Sequence, residues 1–280
     1  MSAAPTIDPA ATAELRLRLG GDLHEPGSPG YEDARTLNNA MIERRPALVA
    51  RCSAPDDVVA ALAFARERGL AVTVRAGGHS VTGASVRDGA LTIDVRGMTD
   101  VEVDPQRRVA RVGGGATWAA VDRAAQAHGL ATTGGRVSTT GVVGLTCGGG
   151  SGWLERLHGL ACDNLVAVEL VTADGRLVRA DADENPDLLW AHRGGGANFG
   201  VVTAVELALH PIEAEVLGGL ALYPVERGPE LLRLFRDTMA AAPEPLSLAA
   251  IYITAPDEPE VPAALRGRQA LAIAGMYAGP

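Results

Sequence analysis

The stretch 134–152 (GGRVSTTGVVGLTCGGGSG) constrains this chain more than any other. Glycines stand at 134, 135, 141, 144, 148, 149, 150 and 152, with the hydroxyl residues Ser138, Thr139 and Thr140 among them. Glycine loses more conformational freedom on folding than any other residue. An ordered chain that concentrates it must therefore need tight turns or close approach of backbone to another surface. A flexible linker is the alternative, but Val142, Val143, Leu145 and Trp153 are too apolar for a solvated Gly/Ser spacer. The pattern predicts a packed, ordered loop suited to a long flat ligand. It is not the dinucleotide fingerprint, because GxGxxG read from Gly148 meets Trp153 at its last glycine and no strand leads in. Nor is it a nucleophile elbow, since Gly150 and Gly152 adjoin Ser151 directly instead of flanking it at GxSxG spacing.

Two further segments carry chemistry. Arg75-Ala76-Gly77-Gly78-His79-Ser80 follows an apolar strand-like run, Leu70 to Val74. Glycines there permit a turn whose successive N–H groups form an anion-binding nest, with His79 at its rim. A tight turn with a solvated histidine fits the same residues. The other segment is Gly159-Leu160-Ala161-Cys162-Asp163-Asn164-Leu165, followed later by Gly200-Val201-Val202-Thr203. Asp163 and Asn164 are ordinary turn formers before a strand. His158 and Cys162 stand four apart with no nearby thiol or imidazole to complete a metal site, so that pair is read as structural and no metal is expected.

Composition removes several classes. All 25 basic residues are Arg, so a P-loop lysine, a lysine Schiff base and a Ser-Lys dyad are excluded. A net charge of −9 without a basic stripe argues against nucleic acid as a partner. Cys52, Cys147 and Cys162 form no CxxC pair and suggest neither a disulfide framework nor structural zinc. No basic-then-apolar leader and no apolar run near 18 residues is present, so the expectation is a cytoplasmic protein with no membrane span.

The periodicities predict mixed α and β structure. A helix capped by Ser53 and opened by Pro55-Asp56-Asp57 lies between strands at 47–51 and 70–74, the second read as buried. Short strands follow at 90–95, 101–103 and 109–112, then a helix from Thr117 to His128. A hairpin (165–172 and 177–179), a helix near 186–190 and a strand at 201–209 complete this part. Beyond Pro211 come a strand (216–223), a helix (229–240) and two more strands (248–254 and 271–277), so a boundary is placed near 212.

In this order, RAGGHS, TTGGRVSTTGVVGLTCGGGSGWLERLHGLACDNL and RGGGANFGVVT resemble the PCMH-type FAD-binding domain of the vanillyl-alcohol oxidase superfamily, most of all its berberine-bridge-enzyme-like branch. The likeness runs from about residue 40 to 212. It implies an α+β fold: an N-terminal extension (1–40), an FAD-binding domain of two α/β subdomains (41–212), and the start of an α+β substrate domain (213–280). It implies that His79 is bonded to the flavin 8α-methyl and that Ala76, Gly77, Gly78 and Ser80 form the pyrophosphate loop. Ser138, Thr139, Gly141 and Gly144 would lie beside the pyrophosphate and flavin, with Asn164, Gly200 and Val202 near the flavin or adenine end. Where some members add a second link through Cys, this chain has Val137, and Cys147 stands ten residues on, so one covalent bond is expected. Members of the family continue well past the length of this chain, often with a Tyr over the flavin, so the chain is read as ending inside the substrate domain. The implied activity is transfer of hydride from an alcohol, sugar or amine C–H to flavin, with O2 or another acceptor as oxidant. A non-catalytic flavin-binding role is the alternative. No catalytic base is named, since Tyr223, Tyr252 and Tyr277 read equally as strand or core residues.

Overall fold

The computed structural model describes residues 7–196 and 198–279. Its first layer is built by α1 (Pro9–Arg18), β1 (Leu23–His24), α2 (Tyr31–Arg35), β2 (Leu48–Arg51), α3 (Pro55–Glu67), β3 (Val72–Arg75) and β4 (Leu91–Asp94). The sheet order is β1-β2-β4-β3, with β2, β4 and β3 parallel and β1 antiparallel at the edge. The apolar positions of α3 recur at helical spacing and are buried: Val58, Ala61, Leu62 and Ala65 meet Leu48, Leu91 and Ile93 of the sheet. Leu15 of α1 and Leu23 of β1 complete that core, so the segment read as an extension is built into this layer.

Two local expectations are corrected here. The N-cap of α3 is Ala54, one residue after Ser53, and the capping oxygen belongs to Asp57. Asp57 accepts from Ser53 N (2.7 Å), Ser53 Oγ (2.9 Å) and Gly20 N (2.8 Å). Burial works against its charge, but these bonds outweigh that and hold the carboxyl below its ordinary range. β3 is an outer strand with Val72 partly exposed; a run rich in β-branched residues does not reveal which strand stands at an edge.

The second layer comprises β5 (Val101–Asp104), β6 (Val109–Gly113), α4 (Trp118–Gln126), β7 (Leu130–Ala131), α5 (Val142–Cys147), α6 (Glu155–His158), β8 (Leu165–Val171), β9 (Leu177–Ala180), α7 (Pro186–His192), β10 (Val201–Ala208) and β11 (His210–Pro211). Its sheet, ordered β5-β6-β10-β8-β9, is antiparallel throughout, and β7 pairs with β11. Trp118 is fully enclosed with Leu165, Leu170 and Leu207. Each such leucine contributes at most about 1.5–3 kcal/mol by leaving water. The short helices α5, inside the glycine tract, and α6, just after it, carry no sequence periodicity that so few residues can reveal. The third sheet, ordered β12-β14-β13, draws all its strands from the C-terminal part: β12 (Leu217–Pro224), β13 (Leu246–Thr254) and β14 (Gln269–Tyr277), with α8 (Gly228–Ala241) between the first two. Among the described residues no helix is long and apolar enough to cross a membrane.

One turn of helix, α6, joins these parts. Glu155 accepts from Gly152 N (3.2 Å) and pairs with Arg136. Arg156 donates to Leu246 O (2.7 Å), Ala242 O (3.0 Å) and Pro243 O (3.3 Å), carbonyls at the end of α8 and the start of β13. His158 stacks on His210, ring centroids 3.8 Å apart and planes 4° from parallel.

Removing the Arg156 guanidinium should ease local opening at 242–246 by about 1.5–3 kcal/mol, the range for hydrogen bonds to a charged group. Hydrogen exchange of Arg156→Met against the unmodified chain measures it. Burial lowers the pKa of His158, and burial, His158 and Arg108 lower that of His210. Unfolded, these rings protonate below about pH 6.5, before the folded rings do. The unfolded state therefore binds more protons as pH falls through that window, and stability declines with it. Melting temperature should fall from pH 7 to 5, and the slope should be shallower in His158→Phe.

Candidate functional site

Where the parallel strands β3 and β4 end, and β6 ends beside the start of β10, the chain encloses a cavity of about 440 Å³. That is within the range of about 300–1,000 Å³ for small-molecule sites. Crevices at the carboxyl ends of parallel strands are the usual ligand sites in α/β sheets. The turn after β3 forms one wall through Ala76, Gly77, Gly78, His79 and Ser80. Gly78 holds φ +72°, a left-handed backbone that suits glycine. None of the backbone N–H groups of these five residues donates to an acceptor among the described residues. Successive amides of this kind can form an anion-binding nest.

Behind the turn lies Arg75, buried, donating to Asp33 O (3.2 Å) and to Ala34 O at the end of α2. Burial, then the neighbouring Arg96, lower its pKa to about 10, which leaves it charged at neutral pH. Its Nε has no partner and sits 3.5 Å from the place a Gly78 Cβ would take. A positive charge therefore backs the amide run.

The opposite wall is the glycine tract at α5: Thr140, Gly141, Val143, Gly144, Leu145 and Cys147. The first turn of any helix leaves N–H groups without intrahelical acceptors, and here Val143 and Gly144 hold those positions on the wall. At Gly77 and Gly141 the two walls meet as backbone. A Cβ on Gly141 would stand 2.6 Å from Gly77 N, and one on Gly77 would run into the backbone of Gly141.

The rest of the tract is consumed by protein packing. Gly134 and Gly135 lie on the Trp118 indole. Ser138 O and Thr140 O accept from Ala119 N (3.0 Å) and Trp118 N (3.1 Å), capping α4 with main-chain carbonyls. Arg136 stacks on Trp153, 4.7 Å from the ring centroid, and donates to Ser151 Oγ (3.0 Å). Ser151 is thereby tied to an arginine.

Of the residues singled out from sequence, Ala76, Gly77, Gly78, His79, Ser80, Gly141, Gly144, Gly200 and Val202 meet at this cavity. Ser138 and Thr139 stand beside it; Thr139 Oγ1 is 3.0 Å from His79 Nε2. Asn164 is elsewhere: its Nδ2 donates to His158 O and Leu160 O (both 2.9 Å), and its Oδ1 bonds His210 Nε2 at 2.6 Å. Sequence reasoning missed Val74, Ser85, Val95, Gly114, Thr140, Val143, Leu145, Cys147 and Gly196 on the walls. The glycine triplets at 113–115, at the end of β6, and 194–196, shortly after α7, were the available signal for two of them. The aliphatic members resemble ordinary core residues until the fold opens a cavity among them. Tyr223, Tyr252 and Tyr277 do not line it, and His79 and Cys147 are its titratable side chains among the described residues. Burial, then Cys162, push the Cys147 thiol up to about 12.

The cavity thus stands at strand carboxyl ends and is walled by glycine backbone and free amides, features suited to a phosphate-bearing small molecule. Residues 46–181 match the FAD binding domain family. This part of the chain belongs to the PCMH-type FAD-binding domains of the vanillyl-alcohol oxidase superfamily, and the proteins it is similar to include oxidases and a berberine-bridge-enzyme-like protein. It is 36% identical over 203 residues to (R)-6-hydroxynicotine oxidase of Paenarthrobacter nicotinovorans, covering 72% of this chain and 44% of that protein. Its fold is similar to the crystal structure of 6-hydroxy-D-nicotine oxidase from Arthrobacter nicotinovorans (TM-score 0.85, 30% identity, 94% of this chain and 57% of that one). It is also similar to BBE-like 1 of Physcomitrella patens (TM-score 0.84, 27% identity, 96% and 56%). The chain thus spans about half the length of these relatives.

Gly141→Ala should push the two walls apart. The expected cost is about 1–3 kcal/mol, as for other overpacked sites, with loss of bound flavin. Thermal melting and the 450 nm absorbance of the purified variant report both.

Proposed function

We propose that this cavity holds FAD, anchored by a single covalent bond to His79, in an oxidase-like oxidoreductase. The observation that carries the reading is the run of unbonded amides from Ala76 to Ser80 on the cavity wall, with the His79 imidazole at its end. Ala76, Gly77, Gly78 and Ser80 would cradle the pyrophosphate, backed by the Arg75 charge. Gly141 and Gly144 let the opposing backbone lie close, and Val74, Val95, Val143 and Val202 offer flat apolar contact to a ring system. Ser138 and Thr139 contribute from beside this wall, and Gly200 from the loop before β10. Asn164 acts at second hand, holding the loop between α6 and β8 through its three bonds.

Bound FAD would accept hydride from an alcohol, sugar or amine C–H and return electrons to O2 or another acceptor. The chain's own part is to bind, orient and exclude water. A single bond is favoured because Val137 has no thiol and Cys147 stays protonated at neutral pH, a poor nucleophile. Residues 41–212 are read as the FAD domain and 213–280 as part of a substrate domain, in keeping with the third sheet's separate strands. One observation favours a second reading, flavin binding without turnover by this chain. Among the described residues the cavity wall carries no carboxylate or tyrosine to take a substrate proton.

The unmodified chain should be yellow and retain its flavin through acid precipitation, with in-gel fluorescence; His79→Ala should lose the acid-stable flavin. Colourless protein, or flavin fully released by acid, sinks the covalent reading. Anaerobic addition of alcohols, sugars and amines, 6-hydroxynicotine among them, separates the two functional readings. Bleaching of the flavin band marks turnover, and an unchanged spectrum marks binding alone.

A further inference from the structure

We infer that Thr139 is the positioning residue for covalent attachment: its hydroxyl holds the His79 ring by Nε2 and leaves Nδ1 as the nitrogen that bonds the flavin. The inference rests on His79 being the anchor. An imidazole on a half-buried turn after two glycines is free to rotate about both side-chain bonds, and only some orientations point a nitrogen lone pair at the cavity. The one hydrogen bond this ring makes to another described residue is to Thr139 Oγ1, at 3.0 Å and across 60 positions of sequence.

Thr139 is well placed to hold the ring because its own backbone is fixed. Thr140 N donates to Val137 O (3.0 Å), closing a turn around Thr139. The carbonyls on either side, Ser138 O and Thr140 O, cap α4, and Thr139 O lies 3.1 Å from the position of a Gly77 Cβ. The hydroxyl is therefore presented by the same backbone that forms the two walls. With Nε2–H donated to Oγ1, the neutral ring carries its lone pair on Nδ1, the nucleophilic nitrogen.

The bond balances as follows. Nδ1 joins the carbon of a flavin ring methyl, one methyl C–H breaks, and that hydrogen and the imidazole N–H hydrogen leave as protons. The electron pair passes to the isoalloxazine and from there to O2, which with two protons becomes H2O2. Thr139 is neither consumed nor bonded to the cofactor; it acts through His79.

The test uses the full chain made under riboflavin limitation and then given FAD and O2, with acid-stable flavin followed in time. Thr139→Val should slow attachment about three- to tenfold, the loss of one neutral hydrogen bond, while Thr139→Ser restores it. The slowing should persist at FAD concentrations that saturate each variant, with saturation judged from reversible FAD affinity in the His79→Ala background with and without Thr139→Val. In the flavin peptide from the unmodified chain, NMR should place the link at Nδ1, a measurement that needs no variant to fold. Unslowed attachment in Thr139→Val, a slowing that vanishes at saturating FAD, or a link at Nε2 each overturns the inference while leaving His79 the anchor. Absence of acid-stable flavin from the unmodified chain overturns the anchor and this inference together.

Discussion

Everything at the site depends on one contact, the approach of the Gly77 backbone to that of Gly141. At that distance neither residue can carry a side chain, so two segments 64 positions apart meet as bare main chain. The consequence is geometric. The turn after β3 and the start of α5 become the facing walls of one cavity, and amides that would otherwise find neighbours remain available on it. An acidic chain thereby presents free amides with the Arg75 charge behind them, a locally positive surface in spite of its overall net charge.

The glycine tract divides its residues between two tasks. Gly141 and Gly144 face the cavity; Gly134 and Gly135 pack on Trp118, and the carbonyls of Ser138 and Thr140 close the N-terminus of α4. The tract is held at its far end by Arg136 on Trp153 and by Glu155 on Gly152 N. From there α6 reaches both the third sheet, through Arg156, and the β11 junction, through the stacked His158 and His210.

Most regular elements were legible from sequence, for a physical reason. Helices such as α3 and α8 and strands such as β8 and β10 display their burial as apolar periodicity or as β-branched runs. Elements of one turn or two residues, α2, α5, α6, β1 and β7, have too few positions to show a period and were invisible. Edge position was equally hidden: Leu70 to Val74 reads as a buried strand, yet β3 has a neighbour on one side only. Asn164 illustrates the limit for polar groups. Its place before a strand allowed a ligand contact or a structural role, and the carbonyls of His158 and Leu160 with the His210 ring take up its whole amide.

By itself, then, the sequence determined the chemistry available: no lysine, a His at the end of a glycine turn, hydroxyls beside a glycine tract, and no thiol at Val137. Those are properties of residue type and order, which need no coordinates. Only the tertiary structure decided which of these groups meet. It set nine of the anticipated residues around one cavity, put Thr139 within hydrogen-bond reach of His79, took Asn164 away, and added aliphatic walls that no local pattern marks. Contacts across 60 or more positions follow from packing of whole layers, and the short-range preferences that shape a sequence pattern do not encode them one at a time.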